Sequence, residues 1–404
     1  MKKIFEIALG IVTSVGGFLE IGSITTAAQA GGQFGFQLLW AIALGGLCLV
    51  FLVEMSGRFS AVSGHTIAGA VRERFGFDFF VFPLVILSLV TLLVLAAEIG
   101  GVCVSLEWIT GISYQYWAIP VGFLVWMILW KGTFGLIEKG VALLGLVTLC
   151  FVIGAHHTMP DWMQAGKSLL PSLPKTEGVR YWFLAVSILG ASISPYLFYF
   201  YSSGAIEDKW NEGHLTVNKI IAVLGMGFGT IISMSVLIVA AMLFQARGMH
   251  FEHYDQVAVM LVPLFGRWGF YLVAGSVFIA CLGAALEISL EMSYFIAQGL
   301  GWNWGENTKP KQAARFTFTY TVVICAAVLL MLIGIDPLKL TILSMALTAA
   351  SLPLAAVPFL ALMNDKNYVR QHTNGRISNF VVLFIIALAF VLAIVSIPLE
   401  FFGG

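Results

Sequence analysis

The sequence predicts an all-α polytopic membrane protein of about eleven transmembrane helices, an inverted five-plus-five repeat in which helices 1 and 6 are broken. Three observations predict this fold class. Hydrophobic residues make up 59% of the 404 residues, charged residues make up 10%, and the mean hydropathy is +0.94, outside the range of soluble domains. Apolar segments long enough to cross a bilayer recur along the chain. Two of them, in corresponding halves, are interrupted by glycine, proline and small polar residues.

The spans follow from the length of about 20 apolar residues that crosses the hydrocarbon core as a helix. Fifteen of the 21 Lys and Arg residues lie in connections on one side of the predicted membrane, against six on the other. The positive-inside rule then predicts a cytoplasmic N-terminus and, with an odd number of spans, an outer C-terminus. We expect the protein to lie in the plasma membrane. The predicted spans are residues 4–30, 37–60, 79–108, 113–130, 133–155, 181–204, 217–245, 267–300, 314–334, 338–363 and 377–400.

The first span contains Gly16, Gly17, Glu20 and Gly22. Glycine lowers helix propensity, and a carboxylate in hydrocarbon costs several kcal/mol, so a continuous helix is poorly supported here. Unwound backbone within a membrane is tolerated where it lines a cavity or is buried in protein. The break therefore predicts a substrate or ion site at Glu20, with Ser23 close by. The alternative is a carboxyl that caps a helix end or is kept neutral by burial.

The sixth span is interrupted at Ser194 and Pro195. Five spans separate the two breaks, and an odd displacement reverses orientation in the membrane, as an inverted repeat requires. We therefore predict a transporter core over residues 1–363, made of repeats at about 1–156 and 180–363. Residues 377–400 are an extra C-terminal transmembrane helix.

Ionisable residues in other spans are further functional candidates. Glu54 and Arg58 are four residues apart, so they form an ion pair on one helix face, which either anchors the helix end or acts in gating. Glu98 follows two alanines and precedes two glycines, and it is either a proton relay or a structural hydrogen-bonding group. Glu287 and Glu291 share a helix face and repel unless a proton or cation intervenes. They indicate a second cation or proton site, or a polar face on a water-filled vestibule.

Several function classes are excluded by composition and spacing. The net charge of zero gives no surface for nucleic acid, and the five cysteines occur singly, without metal-binding spacing. No nucleophile and base pair or nucleotide-binding loop occurs, so we expect neither an enzyme nor a cofactor. The sixth span contains no His, Met or Cys, so a cation bound there has oxygen ligands, which suits Mg²⁺ or Mn²⁺.

The first break resembles the first-helix stretch of the NRAMP family of proton-coupled divalent metal transporters. Residues 18–31 are similar to the family segment that is built on Asp-Pro-Gly-Asn and ends in Gln-Ala-Gly. Residues 54–58, 62–64 and 72–76 are also similar to sequence segments of the family. Residues 194–196, Ser-Pro-Tyr, stand where the family has Met-Pro-His. The resemblance covers nearly the whole chain and implies the LeuT-type arrangement of two inverted repeats.

The resemblance implies a role for each matching position. Glu20 takes the place of the metal-binding aspartate, Ser23 that of the asparagine, and Ala191 offers a backbone carbonyl. Ser194 replaces the methionine ligand, and Tyr196 replaces the histidine tied to proton movement. Glu20, Ser23 and Ser194 are thus the expected metal ligands.

Other positions depart from the family pattern. Glu98 matches a third-helix glutamate on the family's proton path, but Leu95 replaces an aspartate one turn earlier, and Met345 replaces a glutamine of the tenth helix. The loss of the thioether resembles the magnesium-transporting branch of the family.

Two functions follow from these observations. The first is a secondary transporter that carries a divalent cation, Mg²⁺ or Mn²⁺ ahead of Fe²⁺, by alternating access and with coupling to H⁺. The alternative is the same fold with a small organic solute, such as an amino acid or a cyclic amino-acid derivative, whose carboxylate lies at half-helix N-termini. A sensor or receptor without turnover is a third interpretation.

Overall fold

A computed structural model describes residues 20–131, 146–174, 177–245, 254–305, 308 and 311–402. Within these ranges the protein is helical throughout and contains no β-strand. The first half contains α1 (Ile21–Phe34), α2 (Leu39–Ser63), α3 (Ile67–Phe75), α4 (Phe77–Thr110), α5 (Tyr114–Lys131), α6 (Leu149–His157) and α7 (Trp162–Lys167).

The second half begins with the two parts of the sixth predicted span and ends with the extra C-terminal helix. Its helices are α8 (Gly178–Ser192), α9 (Pro195–Glu207), α10 (Leu215–Leu243), α11 (Tyr254–Ala258), α12 (Val262–Phe265), α13 (Arg267–Leu300), α14 (Ala314–Leu332), α15 (Pro337–Met363), α16 (Lys366–Val369) and α17 (Arg376–Phe402).

Eight helical segments of the described residues are long and apolar enough to cross a membrane. One of them, Ile21–Ser63, contains the later part of the first predicted span and the whole of the second. Gly35, with a φ of 61°, begins a short 3-10 helix between α1 and α2. Helix α5 has 18 residues but begins with Tyr, Gln, Tyr and Trp and is not among the eight. Most of the predicted span 133–155 lies outside the described residues. The predicted number of eleven spans is therefore not confirmed, and the repeat boundaries stay a prediction.

The long helices pack around the two interrupted spans. Helix α13 packs on α4, α15 packs on α4 and α8, and α10 packs on α1 and α2. Helices α8 and α15 are in backbone contact, because a Cβ atom on Gly190 would lie 1.8 Å from the carbonyl oxygen of Met345. Large apolar side chains such as Leu89, Leu329 and Phe380 are exposed on α4, α14 and α17, as expected of a surface that faces lipid.

Candidate substrate and ion site

Helix α1 begins immediately after Glu20, the position of the first predicted break. The backbone of Glu20 is extended, with φ −122° and ψ 169°, and its side chain is completely buried. The hydroxyl of Ser23 accepts a hydrogen bond from the Glu20 amide at 3.2 Å and donates one to the Glu20 carbonyl at 2.9 Å. This reciprocal pair fixes the start of α1 and engages the Ser23 oxygen with backbone. The preceding part of the predicted span, residues 4–19, lies outside the described residues.

The second break lies between α8 and α9. Ile193 has φ −120° and ψ 54°, and Ser194 is extended before Pro195 begins α9. In a continuous helix the carbonyl of Ala191 would accept from the amide of residue 195, but proline has no N–H. The Ala191 carbonyl at the end of α8 is therefore left without its helical donor, which is what a backbone ligand requires.

The side chains of the two breaks meet. The Ser194 hydroxyl donates to Oε1 of Glu20 at 3.2 Å, and the Tyr196 hydroxyl donates to Oε2 at 2.8 Å. Ser194 and Tyr196 are both buried. Of the predicted residues, Glu20, Ser23, Ser194 and Tyr196 are joined by hydrogen bonds in one buried cluster whose side-chain polar atoms are oxygens, and Ala191 is buried at the end of α8.

Glu98 lies directly behind this cluster. Its two carboxylate oxygens accept hydrogen bonds from the Ile21 amide at 3.1 and 3.2 Å, and the Cys281 thiol of α13 is also a hydrogen-bonding partner. The first amides of a helix have no partner within it and carry its partial positive charge, so a carboxylate there is well placed. Glu98 therefore makes the structural hydrogen bonds that were one of its two alternative roles in the sequence analysis. A role of Glu98 in proton movement stays a prediction.

The charges around the cluster favour a cation. Neither Glu20 nor Glu98 forms an ion pair with Lys, Arg or His in the part of the chain that the structure describes. Their hydrogen-bond donors are neutral hydroxyls, amides and a thiol. No group of three or more His, Cys, Asp and Glu side chains with metal-binding geometry is found among the described residues. A metal ion would therefore depend on one or two carboxylates together with hydroxyl and carbonyl oxygens.

A residue of α15 lies between the two breaks. The side chain of Met345, including its sulfur atom, fills the space beside Gly22. The backbone of Met345 contacts Gly190. Met345 is completely buried. The sequence marked this position as a departure from the family pattern, but the contact with both broken helices depends on the packing of α15.

Glu287 and Glu291 of α13 face the α9 side of the site. Glu287 is half-buried and lies within electrostatic range of the Tyr196 hydroxyl, and Glu291 is buried and lies within such range of Tyr199. No hydrogen bond to the Glu291 carboxyl is found among the described residues. This places both predicted carboxylates on the α9–α13 interface.

The polar interface between α9 and α13 extends past these carboxylates toward the end of α9. Gln298 donates to Ser203 at 2.9 Å, and the Tyr294 hydroxyl donates to Glu207 at 3.2 Å. The sequence analysis did not identify these pairs. The signal was present as the spacing of Tyr196, Ser203 and Glu207 on one face of α9.

Glu54 and Arg58 form the predicted ion pair, with Nε and Nη2 of Arg58 each 3.0 Å from a carboxylate oxygen of Glu54. Arg58 also donates to the His372 carbonyl and, at 2.9 Å, to Asn374. The amide of Asn218 donates to the Glu54 carbonyl at 2.8 Å. The pair thus joins α2 to the connection before α17 and to α10. It lies apart from the Glu20 cluster, and this arrangement fits an anchor.

Comparison with known proteins gives the family. The family model described as Natural resistance-associated macrophage protein-like matches residues 10–398. The chain belongs to the NRAMP family. This confirms the resemblance seen in residues 18–31 and 194–196, and NRAMP proteins are membrane transporters and not enzymes.

Solved structures show the same fold at low sequence identity. A point mutant of the Eremococcus coleocola manganese transporter has a TM-score of 0.76 and 18% identity, over 98% of this chain and 87% of that one. Mhp1, a nucleobase-cation-symport-1 family transporter, has a TM-score of 0.63 and 13% identity, over 96% of this chain and 91% of that one. MhsT in complex with L-phenylalanine has a TM-score of 0.64 and 14% identity, over 96% of this chain and 97% of that one. These similarities confirm the LeuT-type fold with its broken helices, and this NRAMP protein is an integral membrane transporter.

Proposed function

We propose that this NRAMP protein is a secondary-active transporter of a divalent metal cation, Mg²⁺ or Mn²⁺ ahead of Fe²⁺. It works by alternating access in the plasma membrane, with its N-terminus in the cytoplasm and its C-terminus outside. The observation that carries the proposal is the buried carboxylate of Glu20, which joins the two helix breaks through Ser194 and Tyr196. The Eremococcus relative is itself described as a manganese transporter.

The ligand chemistry favours a hard, partly hydrated ion. Glu20, Ser23, Ser194 and the Ala191 carbonyl offer oxygen ligands, and Mg²⁺ and Mn²⁺ prefer oxygen. Mg²⁺ binds through one or two carboxylates and keeps several waters, so a site with few charges is adequate. Residues 194 and 196 offer hydroxyl groups, which select Fe²⁺ less strongly than sulfur or imidazole.

The test is calorimetric titration of the purified protein with Mn²⁺ and with Mg²⁺. We expect saturable binding that Glu20→Gln abolishes, because the amide keeps the shape of the carboxyl but removes its charge. Glu73→Gln, at an exposed position of α3, is the matched control and should bind as the wild type does. Binding that persists in Glu20→Gln would remove Glu20 from the site.

A small organic solute is the second candidate cargo. Both oxygens of Glu20 already accept hydrogen bonds from hydroxyls, and the described residues hold no group of three metal-binding side chains. The same fold binds bromovinylhydantoin in Mhp1 and L-phenylalanine in MhsT. The amino termini of α1 and α9 could hold a carboxylate. Binding of an amino acid or hydantoin in the same titration, without a response to either cation, would favour this function.

We further propose that transport is coupled to H⁺ through the buried carboxyls of the site. Glu98 adjoins the start of α1, and Glu287 and Glu291 follow the α9–α13 interface away from Tyr196. A pH gradient imposed on proteoliposomes should drive cation uptake, and Glu291→Gln should slow the H⁺ flux while Mn²⁺ binding is kept. If pH gradients neither drive uptake nor accompany it, H⁺ coupling is wrong.

A further inference from the structure

Two arginines from different helices meet at the C-terminal end of α13. A Cβ atom on Gly301 would lie 2.8 Å from a guanidinium nitrogen of Arg72 in α3, so this side chain lies against that glycine. The guanidinium carbon of Arg315 in α14 lies 5.4 Å from the centroid of the Trp302 ring. Gly301 and Trp302 directly follow α13. We call Arg72 and Arg315 the arginine pair, and the central site uses neither of them.

The turn between α3 and α4 positions Arg72. Gly76 joins the two helices with a φ of 87°. Beyond the turn, the centroids of the Phe80 and Phe295 rings are 5.4 Å apart, and a Cβ atom on Gly299 would lie 2.3 Å from the Phe80 ring. This close packing fixes the start of α4 against the last turns of α13. Helix α3 also packs on α13, so Arg72 is held at that helix end.

Each member of the arginine pair lies over an aromatic ring. The guanidinium carbon of Arg72 is 5.9 Å from the centroid of Phe77, and Arg315 covers Trp302. Cation–π contacts of this kind extend to about 6 Å. They use the flat face of the guanidinium, whereas its N–H groups lie in its plane and are suited to donate to two oxygens of one phosphate. Both side chains can therefore bind a phosphate without leaving their rings.

The helix dipole also favours a cation at the C-terminal end of α13. This end already has backbone caps, because the amide of Gly301 donates to the Gln298 carbonyl at 3.3 Å and the amide of Trp302 donates to the Ala297 carbonyl at 2.8 Å. The dipole accounts for a cation at this place. It does not account for the apolar surface that adjoins the arginine pair.

That surface is made by α4 and α14, which pack on each other. Each helix exposes apolar side chains at intervals of three, four or seven residues, and this spacing places them on one face of the helix. The exposed residues are Phe82, Val85 and Leu89 of α4 and Phe318, Val322 and Leu329 of α14. We call them the apolar columns. Phe318 lies one turn beyond Arg315, and Phe82 lies in the second turn of α4, so both columns begin close to the arginine pair.

The charges around the arginine pair favour an anion. The pair lies on the side of the predicted membrane that carries fifteen of the 21 Lys and Arg residues. Carboxylates of this region have other favourable contacts: Glu73 lies 3.6 Å from His65, and Asp365 lies 3.1 Å from Arg74. Asp78 is in the first turn of α4, where the helix dipole favours a negative charge. With the proposed cytoplasmic N-terminus, the pair faces the cytoplasmic leaflet, which is rich in anionic lipids.

We propose that the arginine pair and the apolar columns bind one anionic phospholipid. Its phosphate lies between Arg72 and Arg315, and its acyl chains lie along the exposed faces of α4 and α14. The bound lipid joins the α3–α4 turn to the ends of α13 and α14, and it therefore stabilises the folded protein. The choice of leaflet rests on the proposed orientation of the chain, whereas the binding of the lipid depends neither on that orientation nor on the cargo.

Native mass spectrometry of the purified protein in detergent tests the binding. Phosphatidylglycerol and phosphatidylcholine with the same oleoyl chains are titrated separately, so that the two lipids differ in the charge of the headgroup. We expect the wild type to bind phosphatidylglycerol at least about tenfold more tightly. The double variant Arg72→Gln/Arg315→Gln should lose this preference and bind phosphatidylcholine as the wild type does. Wild-type affinity of the double variant for phosphatidylglycerol would overturn the proposal.

Two single variants provide controls. Arg315 is exposed, so Arg315→Gln should fold normally and show part of the loss. Arg376→Gln is the matched control, because Arg376 is an exposed arginine on the same predicted side of the membrane and the exposed Phe380 lies one turn further along α17. This control should bind phosphatidylglycerol as the wild type does. An equal loss in Arg376→Gln would show an effect of overall charge and would overturn the site.

Melting temperatures distinguish the lipid from free phosphate. At tenfold its dissociation constant, phosphatidylglycerol should raise the melting temperature of the wild type by about 2 °C. Inorganic phosphate at the same concentration should not, because it has no acyl chains for the apolar columns. An equal rise with inorganic phosphate would indicate a simple anion site and overturn the lipid. Selective lipid binding by a wild type that binds neither Mn²⁺ nor Mg²⁺ would support this inference and contradict the proposed cargo.

Discussion

Replacing Gly190 by alanine tests the contact that holds the second break in place. The new Cβ atom would lie 1.8 Å from the Met345 carbonyl oxygen and 3.1 Å from the Ala349 amide nitrogen, whereas real Cβ contacts stay above 3.0 Å. Helices α8 and α15 must therefore separate by about 1.2 Å at this point, the difference between 3.0 and 1.8 Å. Overpacking costs about 1–3 kcal/mol, and we expect the upper end because both contacting groups are backbone.

The control is Gly204→Ala in α9, where an added Cβ atom would meet nothing within 4 Å. Alanine is favoured over glycine within a helix by about 1 kcal/mol, so the control should be slightly stabilised. Gly190→Ala has the same gain in helix propensity, but its free energy of unfolding should still fall by about 2 kcal/mol net. Thermal unfolding of the purified proteins is followed by tryptophan fluorescence. The melting temperatures of the two variants should shift in opposite directions from that of the wild type. Equal melting temperatures for the two variants would refute the backbone contact. Because Ala191 is the next residue, Mn²⁺ uptake should also fall in Gly190→Ala.

Three further changes have expected outcomes. Arg58→Lys should lower the melting temperature by the equivalent of about 1–2 kcal/mol, because lysine cannot make the two-pronged ion pair and also hold the connection before α17; an unchanged melting temperature would contradict the anchor. The Asn367 amide and the Arg74 guanidinium hold the pKa of Asp365 below its usual value, so the ionised form stabilises the folded protein above the usual aspartate pKa and this stability is lost as the pH falls through the folded pKa. Asp365→Asn should therefore be less stable than the wild type near neutral pH, and melting curves over a pH series should converge in acid. Glu98→Gln should keep Mn²⁺ binding and lose pH-driven uptake, measured with a dye inside proteoliposomes; full H⁺ coupling in this variant would exclude Glu98 from the proton path.

Local sequence features predicted the positions of the breaks. Glycines beside Glu20 and the Ser194-Pro195 pair disfavour helix whatever surrounds them, and the structure has non-helical backbone at both places. The Glu54 and Arg58 pair was equally predictable, because residues four apart share a helix face in any helix. The anchoring of that pair to His372 could not be predicted, since it joins segments far apart in the chain.

The sequence by itself determined the membrane class, the all-helical fold and the non-helical backbone at Glu20 and Ser194. These depend on hydropathy and on backbone preferences, which act within a few residues. Tertiary structure alone decided that Glu98 accepts a hydrogen bond from the Ile21 amide and that Met345 contacts both Gly22 and Gly190. Such contacts are set by how whole helices approach and rotate against one another, and no short stretch of sequence encodes that geometry.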